Sequence, residues 1–134
     1  MMYLLDANVW IAILRKKHPQ VAAHYSATNQ ADIRVCSIVI AELRYGCDKS
    51  ANPAANRAKL DAVLNPVESL SFDDKAADHF VFVRRHLEST GQVIGSFDMQ
   101  IAAIALANGC ILVTNNTREF KRVPGLIVED WQIP

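Results

Sequence analysis

The chain has 134 residues, of which 51% are apolar and 21% charged, and its 14 basic and 14 acidic side chains cancel to a net charge of zero. That length fits one domain spanning 1–134, and the composition is globular, not disordered. The neutral balance excludes a general nucleic-acid coat protein, which would be basic overall, but leaves room for a local basic patch. No apolar run approaches the length of a membrane span. The opening MMYLLDANVW lacks a basic region and meets an acid at Asp6, unlike a signal peptide, so the expected compartment is the cytoplasm.

In chain order, Met2–Leu5 reads as a first strand and Asn8–Arg15 as a helix. Ile33–Cys36 reads as a second strand. It is followed by a helix over Ser37–Tyr45, with Ser37 as N-cap and Gly46 just past its end. Pro53–Leu64 has a proline in its first turn and is rich in alanine, as a helix start should be. Val67–Leu70 is a candidate strand. Asp73–Glu88 spaces Ala76, Phe80, Val83 and Leu87 three or four apart, which gives a helix with one apolar face. Gly91 and Gly95 bracket a short connection to the next helix. That helix, Ser96–Asn108, opens on Ser96 as cap and stops before Gly109. The strands Ile111–Thr114 and Leu126–Val128 close the series. Short apolar strands alternating with helices predict an α/β fold, a mainly parallel sheet covered on both faces.

In such sheets sites form at the carboxyl ends of the strands. Asp6 directly follows the first strand. Glu42 lies just over one turn into the helix after the second. Asp98 sits in the first turn of its helix, two residues past Ser96. Asn115, Asn116 and Glu119 follow Ile111–Thr114. Glu42 within SIVIAEL and Asp98 within FDMQIAAIALA are carboxylates in apolar segments with no basic partner at helical spacing. Such groups are desolvated and, if they converge, repel one another. A divalent cation relieves that conflict. The three cysteines and four histidines are scattered, so a nitrogen- or sulfur-bound metal is not expected. A hard ion held by oxygen is, with magnesium the first choice and manganese the second.

Each residue also has a plainer reading. Asp6 could simply cap the following helix. Asp98 could be a first-turn acid that favours the helix dipole. Glu42 is too far into its helix for that role. Arg118, Lys121 and Arg122 are a charge run, and most such runs are solvated faces. The combination at the strand ends carries the argument.

LLDANVWI resembles the opening motif of the PIN-domain family, in which an aspartate ends the first strand. SIVIAELRYG resembles the family's second motif, with its glutamate in E-L-x-x-G. IGSFDMQIAAIALANG resembles the third, where an aspartate opens an alanine-rich helix. LVTNNTREFKRVPGLIVEDW resembles the C-terminal stretch of VapC-type toxins. The matches fall in the family's order over nearly the whole chain. Each motif alone is weak, and four in order are strong.

The resemblance implies a PIN-like three-layer α/β/α domain and a magnesium- or manganese-dependent endoribonuclease, the toxin of a toxin–antitoxin pair. It implies Asp6, Glu42, Asp98 and Glu119 as the catalytic acids, with Asp6 and Asp98 as direct metal ligands. Glu42 would bind through water or a second ion, or act as base. Thr114 and Asn116 would orient the acids, with Asn8 and Ser37 as further supporting positions, and Arg118 and Lys121 would meet RNA. The implied partners are an RNA substrate, with transfer RNA a lead, a VapB-type antitoxin and a second copy in a homodimer; no membrane is implied.

The chain departs from the family at three places. Asn115 and Asn116 stand where many members have a fourth aspartate, and Glu119 is the substitute. Ala7 replaces a threonine or serine. Ser96 replaces a frequent proline. Two rival folds fit less well. A haloacid-dehalogenase-like phosphatase wants a second acid where Asn8 stands and a lysine before its later acids. A response-regulator receiver wants paired acids by the first strand and a lysine directly after a late one, whereas Lys121 comes seven residues after Thr114. A degenerate PIN domain that binds RNA without cutting it is the third alternative.

Overall fold

The computed structural model describes residues 1–134. The elements are β1 (Tyr3–Leu5), α1 (Ala7–Arg15), α2 (Pro19–Ala27), a single 3-10 turn (Gln30–Asp32), β2 (Ile33–Cys36), α3 (Ser37–Asp48), α4 (Pro53–Leu64), β3 (Glu68–Leu70), α5 (Asp74–Ser89), α6 (Ser96–Asn108), β4 (Ile111–Val113), α7 (Thr117–Phe120) and β5 (Val128–Glu129). The five strands form one parallel sheet in the order β3-β2-β1-β4-β5. The chain steps outward from β1 to β3 on one side, then returns to β4 on the other. Connections between parallel strands are right-handed, so the reversal puts α1–α4 on one face and α5, α6 and α7 on the opposite one. In keeping with this, α1, α3 and α4 touch one another, and α5 packs along α6. The result is the expected three-layer α/β/α sandwich. A receiver domain has the order 2-1-3-4-5, and this sheet does not.

The core forms because the central strands and α6 are apolar all round. Leu4, Leu5, Leu112 and Val113 are fully enclosed. In α6, Met99, Ile101, Ala102, Ala103, Ile104, Ala105 and Ala107 are all buried. A helix so uniformly apolar belongs between other layers, and its alanines allow the close approach of α5. Trp10 and Trp131 are the largest enclosed side chains, each worth about 3–5 kcal/mol against truncation to alanine.

Several boundaries differ from the sequence reading. Ser37 is not a cap. Strand β2 runs straight into α3, so Cys36, with extended backbone (φ −120°, ψ 161°), holds the N-cap position and Ser37 is the first helical residue. Likewise Gly95 precedes α6 and Ser96 is its first residue. Gly46 does not stop α3, which continues to Asp48 because its last turns pack on α4; tertiary contact outweighs the modest helix penalty of one glycine. Two helices were missed. α2 buries only Val21, so it has almost no apolar periodicity to read. α7 has four residues, too few for a pattern. No helix is long and apolar enough to cross a membrane.

Candidate active site

The strand order reverses between β1 and β4, and the crevice beyond their carboxyl ends is where an open α/β sheet offers a binding site. Asp6 is the first residue past β1. Its backbone N–H donates to the Val113 carbonyl at 2.9 Å, which continues the ladder to β4. It then turns the chain into α1 as N-cap, and its Oδ1 accepts from the Ala7 N–H at 2.8 Å. Capping and site roles thus coexist in one side chain. The second oxygen, Oδ2, accepts from the Thr114 hydroxyl at 2.9 Å. Thr114 is fully buried, and its own Oγ1 accepts from the Asn116 N–H at 3.0 Å. The Asn116 side-chain amide in turn donates to Glu119 Oε2 at 3.3 Å. A continuous chain of hydrogen bonds therefore runs from Asp6 through Thr114 and Asn116 to Glu119.

Asp98 arrives from α6 and Glu42 from α3. The charge of Asp6 is felt at both, and that of Glu119 at Asp98. Burial pushes the Asp98 carboxyl up to about 6, and the charges of Asp6 and Glu119 add to the shift. Burial raises Asp6 as well, against the lowering effect of its bonds to Thr114 and Ala7. Glu42 reaches solvent, yet partial burial raises its carboxyl too, and the charges of Asp6 and Asp98 add to the shift. The Cys36 thiol, buried beneath them, is pushed up to about 11. No cation offsets this repulsion, since the chain's three ion pairs, Arg34–Glu68, Arg57–Asp61 and Arg84–Glu88, involve none of these acids.

Two of the acids border open space. Glu42, Gly95, Ser96, Phe97 and Asp98 line a hollow of about 370 Å³. Glu42 also borders a longer groove of about 500 Å³ between α1, α3 and α4, with Ile11, Leu14, Leu43 and Lys59 among its walls. No three His, Cys, Asp or Glu side chains close tightly enough to enclose an ion alone. Unpaired, partly desolvated carboxylates in an open hollow fit a hard divalent ion that keeps part of its water shell and takes only one or two protein oxygens. They do not fit zinc in a closed site.

The structure therefore gathers Asp6, Glu42, Asp98, Glu119, Thr114 and Asn116. Asn8 and Ser37 are exposed, as is Glu42, and neither Asn8 nor Ser37 makes a side-chain hydrogen bond. Ser37 has no capping role because Cys36 holds that position. Asn115 is exposed as well. Arg118 and Lys121 are exposed on and just after α7, close in sequence to Glu119. Phe97, to which the motifs assign no role, is 63% exposed on the rim of the hollow. An aromatic directly before the third acid was its one visible mark.

Residues 3–126 match the PIN domain family. The chain is 40% identical over 136 residues to "Ribonuclease VapC2" of Rickettsia felis, covering 98% of each chain. It is 38% identical to "tRNA(fMet)-specific endonuclease VapC" of Shigella flexneri, over 96% of this chain and 97% of that one. Its fold is similar to a chain of DNA-bound VapBC from Salmonella typhimurium, with a TM-score of 0.90, 34% identity and 98% of each chain covered.

Proposed function

The chain belongs to the PIN-domain family, and on that footing we propose that it is a metal-dependent endoribonuclease, the VapC-type toxin of a toxin–antitoxin pair, active as one domain over 1–134. The observation that carries the reading is the convergence of Asp6, Glu42, Asp98 and Glu119 at the β1/β4 switch point without any cationic partner. Such a group is destabilising for the bare fold, and a divalent cation is what makes it useful.

Asp6 and Asp98 would hold magnesium, with manganese able to substitute. The bound ion supplies an acidified water and offsets charge at phosphorus. The chain's own residues do the rest. Thr114 holds Asp6 in one orientation, and Asn116 fixes both Thr114 and Glu119. Supports of this kind typically account for 10- to 100-fold in metal affinity or activity. Glu42, raised and solvent-accessible, would serve as the base that accepts a proton from the attacking water. Arg118 and Lys121 would hold the RNA phosphates beside the acids. The name of the Shigella relative makes initiator transfer RNA the first substrate to try. A VapB-type antitoxin and a second copy of the chain complete the proposed assembly, in the cytoplasm.

The test is cleavage of a defined transfer RNA by antitoxin-free protein with magnesium and with EDTA, beside Asp6→Asn. Cleavage that needs the metal and vanishes in the variant supports the reading. Equal cleavage by Asp6→Asn removes the site, and metal-independent cleavage removes the mechanism.

A further inference from the structure

The chain has five phenylalanines, and four of them are accounted for by the fold. Phe120 is fully buried in the core. Phe72 and Phe80 pack against the core and meet edge to face, with ring centroids 5.9 Å apart. Phe82 stacks on His86. Phe97 has neither burial nor an aromatic partner, and it lies outside the core cluster. A single exposed apolar side chain is ordinary, so its position has to carry the argument.

That position is the first turn of α6, directly before Asp98. Phe97 lines the same hollow as Glu42 and Asp98, and its volume of about 370 Å³ falls in the range of pockets that take small organic ligands. Gly95 and Ser96, the other lining residues, add little bulk and leave room for a flat group. The loop that leads into α6 is also tied to the basic run. The Arg122 guanidinium donates to the Val93 carbonyl at 3.4 Å, and Val93 is itself 53% exposed. Cations from the segment after β4 therefore meet the loop that ends at an aromatic ring, and the ring stands beside the acids.

A nucleotide presents the matching features, a charged phosphate and a flat base. Aromatic side chains are the surfaces on which unpaired bases stack, and the contact tolerates any sequence because every base has a π face. We infer that Phe97 is a substrate-binding residue whose ring stacks on an unpaired base next to the scissile phosphate. The stacked base anchors the strand across the acids while the basic run holds flanking phosphates. In a duplex the faces of each base are covered by its neighbours, so the contact selects single strands and loops over paired RNA. The inference rests on RNA being the substrate, and not on which ion or which acid carries the chemistry.

The test compares two labelled strands of equal length and charge, oligouridylate and its abasic counterpart. Binding is measured in magnesium, with every protein carrying Asp6→Asn so that the strand stays whole. Phe97→Ala should bind oligouridylate about fivefold or more weakly than its parent and the abasic strand equally well. Phe97→Leu keeps an apolar side chain without a π face and should bind almost as weakly as Phe97→Ala. Phe97→Trp should bind at least as tightly as the parent. Trp10 and Trp131 are 0% and 2% exposed, so the new indole is the one in solvent, and oligouridylate should quench it where the abasic strand does not. The slope of log K against log salt should not move in Phe97→Ala, because the ring meets no phosphate. The side chain is exposed, and circular dichroism checks that each variant folds. Equal affinity of Phe97→Ala and its parent for oligouridylate, an equal loss on the abasic strand, or full affinity in Phe97→Leu each overturns the stacking role and leaves the nuclease reading standing. A parent that binds neither strand overturns the RNA reading and this role together. Transfer-RNA cleavage by the chain with Asp6 intact, read separately, reports on the nuclease reading alone.

Discussion

Asp98→Asn should make the metal-free protein more stable and, at the same time, inactive. The folded-state carboxyl lies at about 6 against an ordinary 3.8. A shift of about two units is about 3 kcal/mol between the charged and neutral forms. Asp98 is only half buried, and solvent screening cuts that to about 1–2 kcal/mol. The variant also loses a first-turn acid at the start of α6, which costs about 0.3–1 kcal/mol. Desolvation and repulsion together are the larger effect, so at the midpoints of these ranges the variant gains about 1 kcal/mol, or about 2–6 °C in Tm. The pH dependence has a definite sign. A raised folded-state pKa means that the native protein binds more protons than the unfolded chain between about 3.8 and about 6. Asp98 therefore costs wild type nothing below 3.8, and its destabilising effect grows as pH rises through 6. Thermal unfolding in EDTA across that range is the assay. The variant's advantage should be full at neutral pH, shrink through 6 and be gone below 4. Magnesium should then raise the Tm of wild type and leave the variant nearly unmoved. A variant no more stable than wild type in EDTA at neutral pH would refute the electrostatic account.

Thr114→Val keeps the side-chain shape but strips a buried hydrogen bond from Asp6 Oδ2 and an acceptor from the Asn116 N–H. We expect a loss of about 1–3 kcal/mol in denaturant unfolding, together with a 10- to 100-fold higher magnesium requirement for cleavage. An unchanged magnesium requirement would make Thr114 structural only. Arg118→Ala and Lys121→Ala should weaken RNA binding with little change in Tm, since both side chains are exposed. Each should flatten the dependence of log K on log salt by about 0.7 for single-stranded RNA, and an identical slope would remove their phosphate contacts.

The site's chemistry was legible in sequence to the extent that burial was. An acid inside SIVIAEL or FDMQIAAIALA has no reason to be there in a plain core, and Glu42 lies in the helix after a predicted strand while Asp98 opens a predicted helix. The plain alternation of strands and helices likewise gave the layers. Caps were less legible. Ser37 and Ser96 are good capping residues that lie one position too late, because Cys36 and Gly95 already hold the extended backbone that starts each helix. The helix α2, which buries one residue, gave the periodicity nothing to detect.

What the residues determined alone, then, was local: which segments bury apolar surface, where a carboxylate is out of place, and which spacing repeats. Tertiary structure decided what meets. The return of the chain from β3 to β4 puts Thr114 against Asp6, 108 positions away, and makes a capping aspartate part of a relay to Glu119. The same packing turned one side of α5 to the core, a choice set by which surface α6 covers.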